Sequence, residues 1–229
     1  MATKPATDLG LELPGSGWPE FPAAWRDTYA TLHLWLQIVG KTRLALAPME
    51  NHWWHIPLYL TTRGLTTSPM PYGARTVAVE FDFCAHQLRL ESSTGSQEVL
   101  PLSSMPVADF FARYQASLRH LALEVPIFAS PVEVEVAIPF AEDHEHKTYD
   151  PDAAHRCWQI FASADRVLKR FRGGFTGKQS PAHVFWGSFD LAATRFSGRP
   201  APRHPGGVPH CPTHQTKQVH FFAAAAAAS

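Results

Sequence analysis

The stretch from His183 to Arg199 holds most of the side chains in this chain that could do chemistry. It sets Phe185, Trp186, Phe189 and Phe196 beside His183, Asp190, Arg195, Arg199 and the hydroxyls of Ser188, Thr194 and Ser197. Rings supply apolar area and a few polar tips fix orientation, the make-up of a small-molecule pocket. An imidazole titrates near neutrality, which makes His183 a candidate for proton transfer, with Asp190 to orient it. Arg195 or Arg199 could hold an anionic group through paired N–H donors. A local Ser–His–acid triad of Ser188, His183 and Asp190 does not assemble. On a strand, Trp186, Ser188 and Asp190 take one face and His183, Phe185 and Phe189 the other. On a helix, His183, Gly187, Asp190 and Thr194 align and Ser188 drifts off. The second glycine of a nucleophile elbow is also missing. The plainer alternative is an Asp190–Arg195 or Asp190–Arg199 pair that organises a loop.

A second constellation is Asn51-His52-Trp53-Trp54-His55. On an extended chain Trp54 joins Ile56 and Leu58, while Trp53 and His55 point the other way. His52, Trp53 and His55 are then an aromatic wall carrying a base or ligand, with His55 a second proton-transfer candidate. Otherwise the tryptophans seal the core edge and the histidines bond loop carbonyls. In Glu142-Asp143-His144-Glu145-His146, an extended backbone puts His144 and His146 on one face, where they could chelate a divalent metal with Glu142 or Asp150. A solvated charged loop explains the same residues. His204 to His214 has ligand-like spacing around Cys211 but forms no recognised zinc module. Lys169 to Ser180 fails the phosphate-loop signature, because Arg172 stands where the first glycine belongs and Gln179 follows Lys178. A basic helix end and an anion pocket remain. Cys84 and Cys157 read as packing residues.

The elements that must position these groups follow from periodicity. Trp25, Tyr29, Leu32, Trp35, Leu36 and Val39 have helical spacing over Ala23–Gly40, with Gly40 as a stop. Leu44–Ala47 reads as a short strand, and Trp54–Leu60 as a strand interrupted by Pro57. Gly64–Gly73 reads as irregular. Val77–Phe83 alternates cleanly, and Leu88–Leu90 and Val99–Leu100 continue it as an antiparallel meander. Ser103 or Ser104 is the expected cap of a helix through Val107, Phe110, Tyr114, Leu118 and Leu121. Val132–Ile138 alternates as another strand. Asp150-Pro151 starts a helix that runs to Gly173-Gly174.

The 229 residues carry 20 Lys+Arg against 20 Asp+Glu, so the chain lacks the electrostatic footprint expected of a nucleic-acid or anionic-membrane partner. Three cysteines without a C-x-x-C pair fit a reducing compartment. No apolar leader or run of about 18 apolar residues occurs, which points to a cytoplasmic protein.

Several blocks resemble an uncharacterised bacterial family, the domain of unknown function numbered 5996. They are Trp25-Arg26-Asp27-Thr28, Leu32 to Trp35, Gln37 to Lys41, Asn51 to Trp54, Arg63 to Ser68, Phe185 to Leu191, Arg195 to Pro200 and His204 to Gly207. The likeness covers Trp18 to Pro212. It implies a bacterial protein and brings no activity or site residues with it. Members continue past this point, whereas this chain turns through Thr213 to Thr216 into polyalanine, which implies a truncated or frame-shifted end.

The expected fold is α+β: one domain with an antiparallel meander of about five to seven strands packed by three main helices. Residues 1–20 are expected as a mobile arm, 21–200 as the domain and 201–229 as a disordered tail. The leading functional expectation is binding of a small, anionic ligand in an aromatic-lined pocket. His55, His183 and Asp190 are its catalytic candidates; His52, Trp53, Trp186, Ser188, Arg195 and Arg199 are its binding candidates. A non-catalytic scaffold or homodimer using the aromatic face, and a metal-dependent hydrolase using His144 and His146, are the alternatives. The identity of any cofactor is unknown from these residues. All of this needs the 183–199 segment to fold beside Trp53 and enclose a shared hollow.

Overall fold

The computed structural model describes Glu20, residues 25–199 and the backbone of 220–222. Helix α1 spans Trp25–Leu46 and is the axis of the molecule. Residues 31–43 are buried without interruption, so the helix is enclosed on every side. It does not stop at Gly40, and Leu44–Leu46 form its last turn rather than a strand. A Cβ at Gly40 would lie 2.3 Å from the Trp186 indole. Gly40 is therefore there for close approach, which overrides its weak helix propensity.

The main sheet is antiparallel: β1 (Tyr59–Leu60), β2 (Gly64–Thr66), β4 (Arg75–Asp82), β5 (Gln87–Ser92) and β6 (Gln97–Pro101) lie in that order, and β3 (Met70–Tyr72) also pairs with β4. The meander has Val79 opposite Leu90 and Phe81 opposite Leu88. These pairs share the face that packs on the helices, and all four side chains are buried. The Gly64–Gly73 segment, expected to be irregular, supplies two of the strands. Gly64 masks this because a Cβ there would meet the Phe81 carbonyl, so only glycine lets the backbones approach.

Helix α2 spans Val107–His120 and α3 spans Pro151–Gly173; both pack on α1. Asp150 caps α3 as expected, accepting from the backbone N–H groups of Asp152 and Ala153 at 2.9 and 3.2 Å. The expected serine cap of α2 is not there. Pro106 holds that position, and Ser104 exchanges hydrogen bonds with the backbone of Tyr149. The α2 N-terminus is instead satisfied by the carbonyls of His146 and Asp143, which accept from Val107 and Ala108.

Two further expected strands differ. Residues 54–58 do not form a period-2 strand, since Asn51–Trp53 is a 3-10 turn with φ of 62° at His52 and 60° at Trp53. Val132–Ile138 is not a strand: the backbone bends at residues 132–133 and 135–136, and Glu133 has φ of 56°. The Val132 N–H and C=O are both taken by the Gln37 amide, each at 2.8 Å, so a side chain does the work of a neighbouring strand.

After α3 the chain forms the hairpin β7 (His183–Phe185) and β8 (Asp190–Ala192), then β9 (Thr194–Phe196), which pairs with β10 (His220–Phe222). Three residues of the expected tail thus belong to the fold. The arm, apart from Glu20, and the rest of the tail, with the His204–His214 cluster, lie outside the described residues. Among the described residues, no helix is long and apolar enough to cross a membrane. Three helices on an antiparallel meander make the chain a single α+β domain.

Candidate functional site

The 183–196 segment does lie beside the paired tryptophans. Leu58 and Val184 exchange backbone hydrogen bonds at 2.8 Å in both directions, and the Trp186 indole N–H donates to the Ile56 carbonyl at 2.9 Å. The two regions meet through backbone pairing. Clefts of about 310 and 290 Å³ lie elsewhere, beside Asp152, His155, Arg156 and Gln159, and beside Ser104, Met105, Pro106, Lys147 and Thr148. None of the expected site residues lines either one.

One side of the hairpin holds a cationic cluster. His183 is fully buried, edge-on to Phe185 at 4.7 Å and to Tyr59 at 6.1 Å. Neither of its ring nitrogens has a hydrogen-bond partner. The Arg43 guanidinium lies 5.4 Å over the Tyr59 ring and donates through Nε to the His55 carbonyl at 2.7 Å, but its buried Nη1 has no partner. Arg172, in the last turn of α3, likewise has a partnerless buried Nε. Burial, then the charges of Arg172 and Arg43, push the His183 imidazole down to about 4, so it is neutral at pH 7. His55 is buried too and is lowered, first by burial; its Nδ1 accepts the Glu50 backbone N–H at 3.3 Å.

The other binding candidates are spread out. Lys178 donates to His52 Nε2 at 2.7 Å and lies 5.1 Å over the Phe196 ring, while Trp53 stacks on His55 at 5.5 Å. Arg195 does not pair with Asp190: its guanidinium lies 3.4 Å over the Phe171 ring, and its Nε is buried without a partner. Arg199 is exposed and forms no ion pair with Asp190 either. His144 is exposed, and His146 Nδ1 lies 2.8 Å from Asp143 Oδ2. Among the described residues, no group of three His, Cys, Asp or Glu side chains gathers around a common point.

The other side of the hairpin faces a stripe of α1 that the periodicity reading missed. Tyr29, His33, Gln37 and Lys41 recur every four residues, so they line one flank of the helix. The 186–189 turn runs antiparallel along this flank. Trp186 lies 5.6 Å from Lys41 Nζ, the Gly187 carbonyl accepts from His33 Nε2 at 2.8 Å, and Phe189 stacks on Tyr29 at 4.9 Å. At its outer edge Ser188 donates to Glu133, and no hydrogen bond joins His183 to Asp190. Burial, followed by the charge of Glu133, raises the Asp190 carboxyl. Burial holds His33 low and Lys41 low as well. Among the described residues the two free thiols differ: Cys84 is exposed, and burial pushes Cys157 up to about 12, too high to be a thiolate nucleophile.

The chain belongs to a family described as "Family of unknown function (DUF5996)", whose model matches residues 18–221 and so runs past Pro212. No curated protein and no solved structure matches it.

Proposed function

We propose that this protein binds a small oxyanion, a carboxylate or phosphate ester, in the cluster formed by Arg43, His183 and Arg172. One observation carries the reading: a fully buried histidine has two partnerless nitrogens, and the two guanidiniums whose charges act on it also have partnerless buried N–H groups. Leaving a buried polar group unsatisfied costs about 1–3 kcal/mol, and native folds rarely tolerate several together without a reason. A single oxyanion would accept from Arg43 Nη1, from Arg172 Nε and from the N–H of the neutral His183 imidazole, and would offset the stacked positive charge. Tyr59 and Phe185 supply the apolar walls. Arg172 is the most exposed of the three and belongs to the exposed 172–178 segment, so the ligand enters from that side. A cytoplasmic setting accords with Cys84 and Cys157 both being free thiols.

The test is isothermal titration at constant ionic strength with inorganic phosphate, phenyl phosphate, benzoate and neutral benzyl alcohol. At least one anion should saturate with a Kd below about 1 mM, and benzyl alcohol should not. Arg172→Gln should weaken the binding at least tenfold, about 1.4 kcal/mol. If no anion saturates, or if the variant binds as tightly as the parent chain, the reading is wrong. Tighter phosphate esters or tighter carboxylates would identify the ligand class.

A further inference from the structure

On the opposite side of the hairpin, and independent of the anion reading, Lys41 is a buried amine without a counter-ion. Its side chain is 4% exposed. Its contacts are three rings: Phe128 at 5.1 Å, Trp186 at 5.6 Å and Phe140 at 6.0 Å from Nζ. It makes no hydrogen bond or ion pair among the described residues. Phe140 is fully buried, Trp186 is pinned by its bond to the Ile56 carbonyl, and Phe128 is 69% exposed, so Phe128 is the wall on the solvent side. The opening to the amine is therefore lined by rings.

A lysine that served only to fill space here would be a poor choice. Burying an ammonium costs several kcal/mol, against about 0.5–2 kcal/mol for each cation–π contact, and a methionine would pack the same volume without that cost. What the position does confer is an amine set among three rings, with little of the residue left in bulk water. Burial lowers Lys41 from its ordinary range, which increases the fraction carrying a free lone pair.

We propose that Lys41 is a covalent site for an aldehyde or ketone bearing an aromatic or apolar group, bound as an imine. The Nζ lone pair adds to the carbonyl carbon to give a carbinolamine. One amine hydrogen moves to the former carbonyl oxygen as the carbinolamine forms, and that hydroxyl then departs as water with the remaining amine hydrogen, leaving a C=N bond in place of C=O. No oxidant or further reactant is required. The three rings hold the substituent and shield the imine from water. The Gln37 and His33 side chains, one and two turns back along the same flank, are the polar groups closest to it in sequence order on that stripe.

The experiment is trapping with 4-nitrobenzaldehyde and sodium cyanoborohydride on the intact chain, followed by peptide mass spectrometry at Lys41, Lys147, Lys169 and Lys178. Native protein should carry at least ten times more reduced adduct on Lys41 than on any of the other three, and urea-denatured protein should show no such preference. Lys41→Arg keeps the cation among the rings and should abolish the preferred adduct while leaving the slow labelling of the other lysines unchanged. A second aldehyde without a ring, glyoxylate, should show less preference for Lys41. The proposal is overturned if native Lys41 is labelled no faster than Lys169, or if the preference persists after denaturation.

Discussion

His183→Leu removes the imidazole whose nitrogens go unbonded and replaces it with an apolar side chain of similar volume. In the ligand-free protein this change should stabilise. Relieving an unsatisfied buried polar group returns about 1–3 kcal/mol, and imperfect fit of the new side chain takes back up to about 1.5 kcal/mol. A net gain of about 1–2 kcal/mol at pH 7.5 is expected, or roughly 2–8 °C in Tm for a domain of this size. The pH dependence is a sharper measure. The folded imidazole titrates at about 4 against 6.5 in the unfolded chain, so the unfolded state binds the proton first. Below pH 6.5 the parent fold therefore loses stability, reaching a loss of ~3 kcal/mol at pH 4, at 1.36 kcal/mol per pH unit. The variant lacks that loss, so its advantage should grow by about 2 kcal/mol between pH 7 and pH 5. His33, His55 and His86 are also lowered in the fold and affect both proteins alike, so only the difference is diagnostic. Urea unfolding of dialysed protein in cationic buffers at pH 7.5, 6 and 5 gives the numbers. A variant less stable than the parent at pH 7.5, or an advantage that stays flat with pH, would refute the claim that His183 is an unsatisfied, neutral imidazole.

Two further outcomes follow from the same coordinates. Gly40→Ala puts a methyl group 2.3 Å from the Trp186 indole, which must shift and release its bond to Ile56; thermal unfolding should show a loss of about 1–3 kcal/mol, although alanine is the better helix former. Asp82 is buried in the β4–β5 turn, accepting from the backbone of Cys84 and Ala85 at 2.9 and 2.8 Å and from Arg63 Nε at 2.6 Å. Burial alone would raise its carboxyl, but Arg63 and those N–H groups outweigh it and hold it below 3.8. The stability it contributes is thus present above pH 3.8 and lost as pH falls below that value. Asp82→Asn keeps an Oδ1 that still accepts both backbone N–H groups and loses only the carboxylate oxygen that accepts from Arg63; because the Arg63 side chain is half exposed, the loss of stability at pH 7 should be modest, and the gap should narrow below about pH 4. A gap independent of pH in chemical denaturation would contradict that account.

The meander, the capped α3 and the count of three helices were legible in the sequence because each rests on local periodicity or cap chemistry. Phe81 and Leu88 alternate with polar residues whatever surrounds them, and Asp150-Pro151 starts a helix by itself. The failures came where distant chain decides local structure. Gly40 reads as a helix stop until Trp186, far along the chain, is known to press on it. Val132–Ile138 has the pattern of a strand, yet the partner of its first residue is the side chain of Gln37. Gly64 looks like a loop glycine until the Phe81 carbonyl fills the space where its Cβ would be.

The same reasoning explains why the candidate site was half visible. The ring-rich segment and the Trp53 neighbourhood announce themselves by composition, and they do pack together. The charged members of the cluster, Arg43 and Arg172, sit at the ends of helices where cations ordinarily complement the dipole, so neither stands out in one dimension. Lys41 is hidden in another way. A helix with His33, Gln37 and Lys41 at four-residue intervals looks amphipathic, with those three residues forming its wet face. Only burial of α1 on every side converts that face from solvated to enclosed, and it is enclosure that gives an uncompensated amine or imidazole its chemistry. A sequence reading that asked which polar stripe becomes buried when a helix is central, and not only which apolar stripe does, reaches Lys41 from spacing alone.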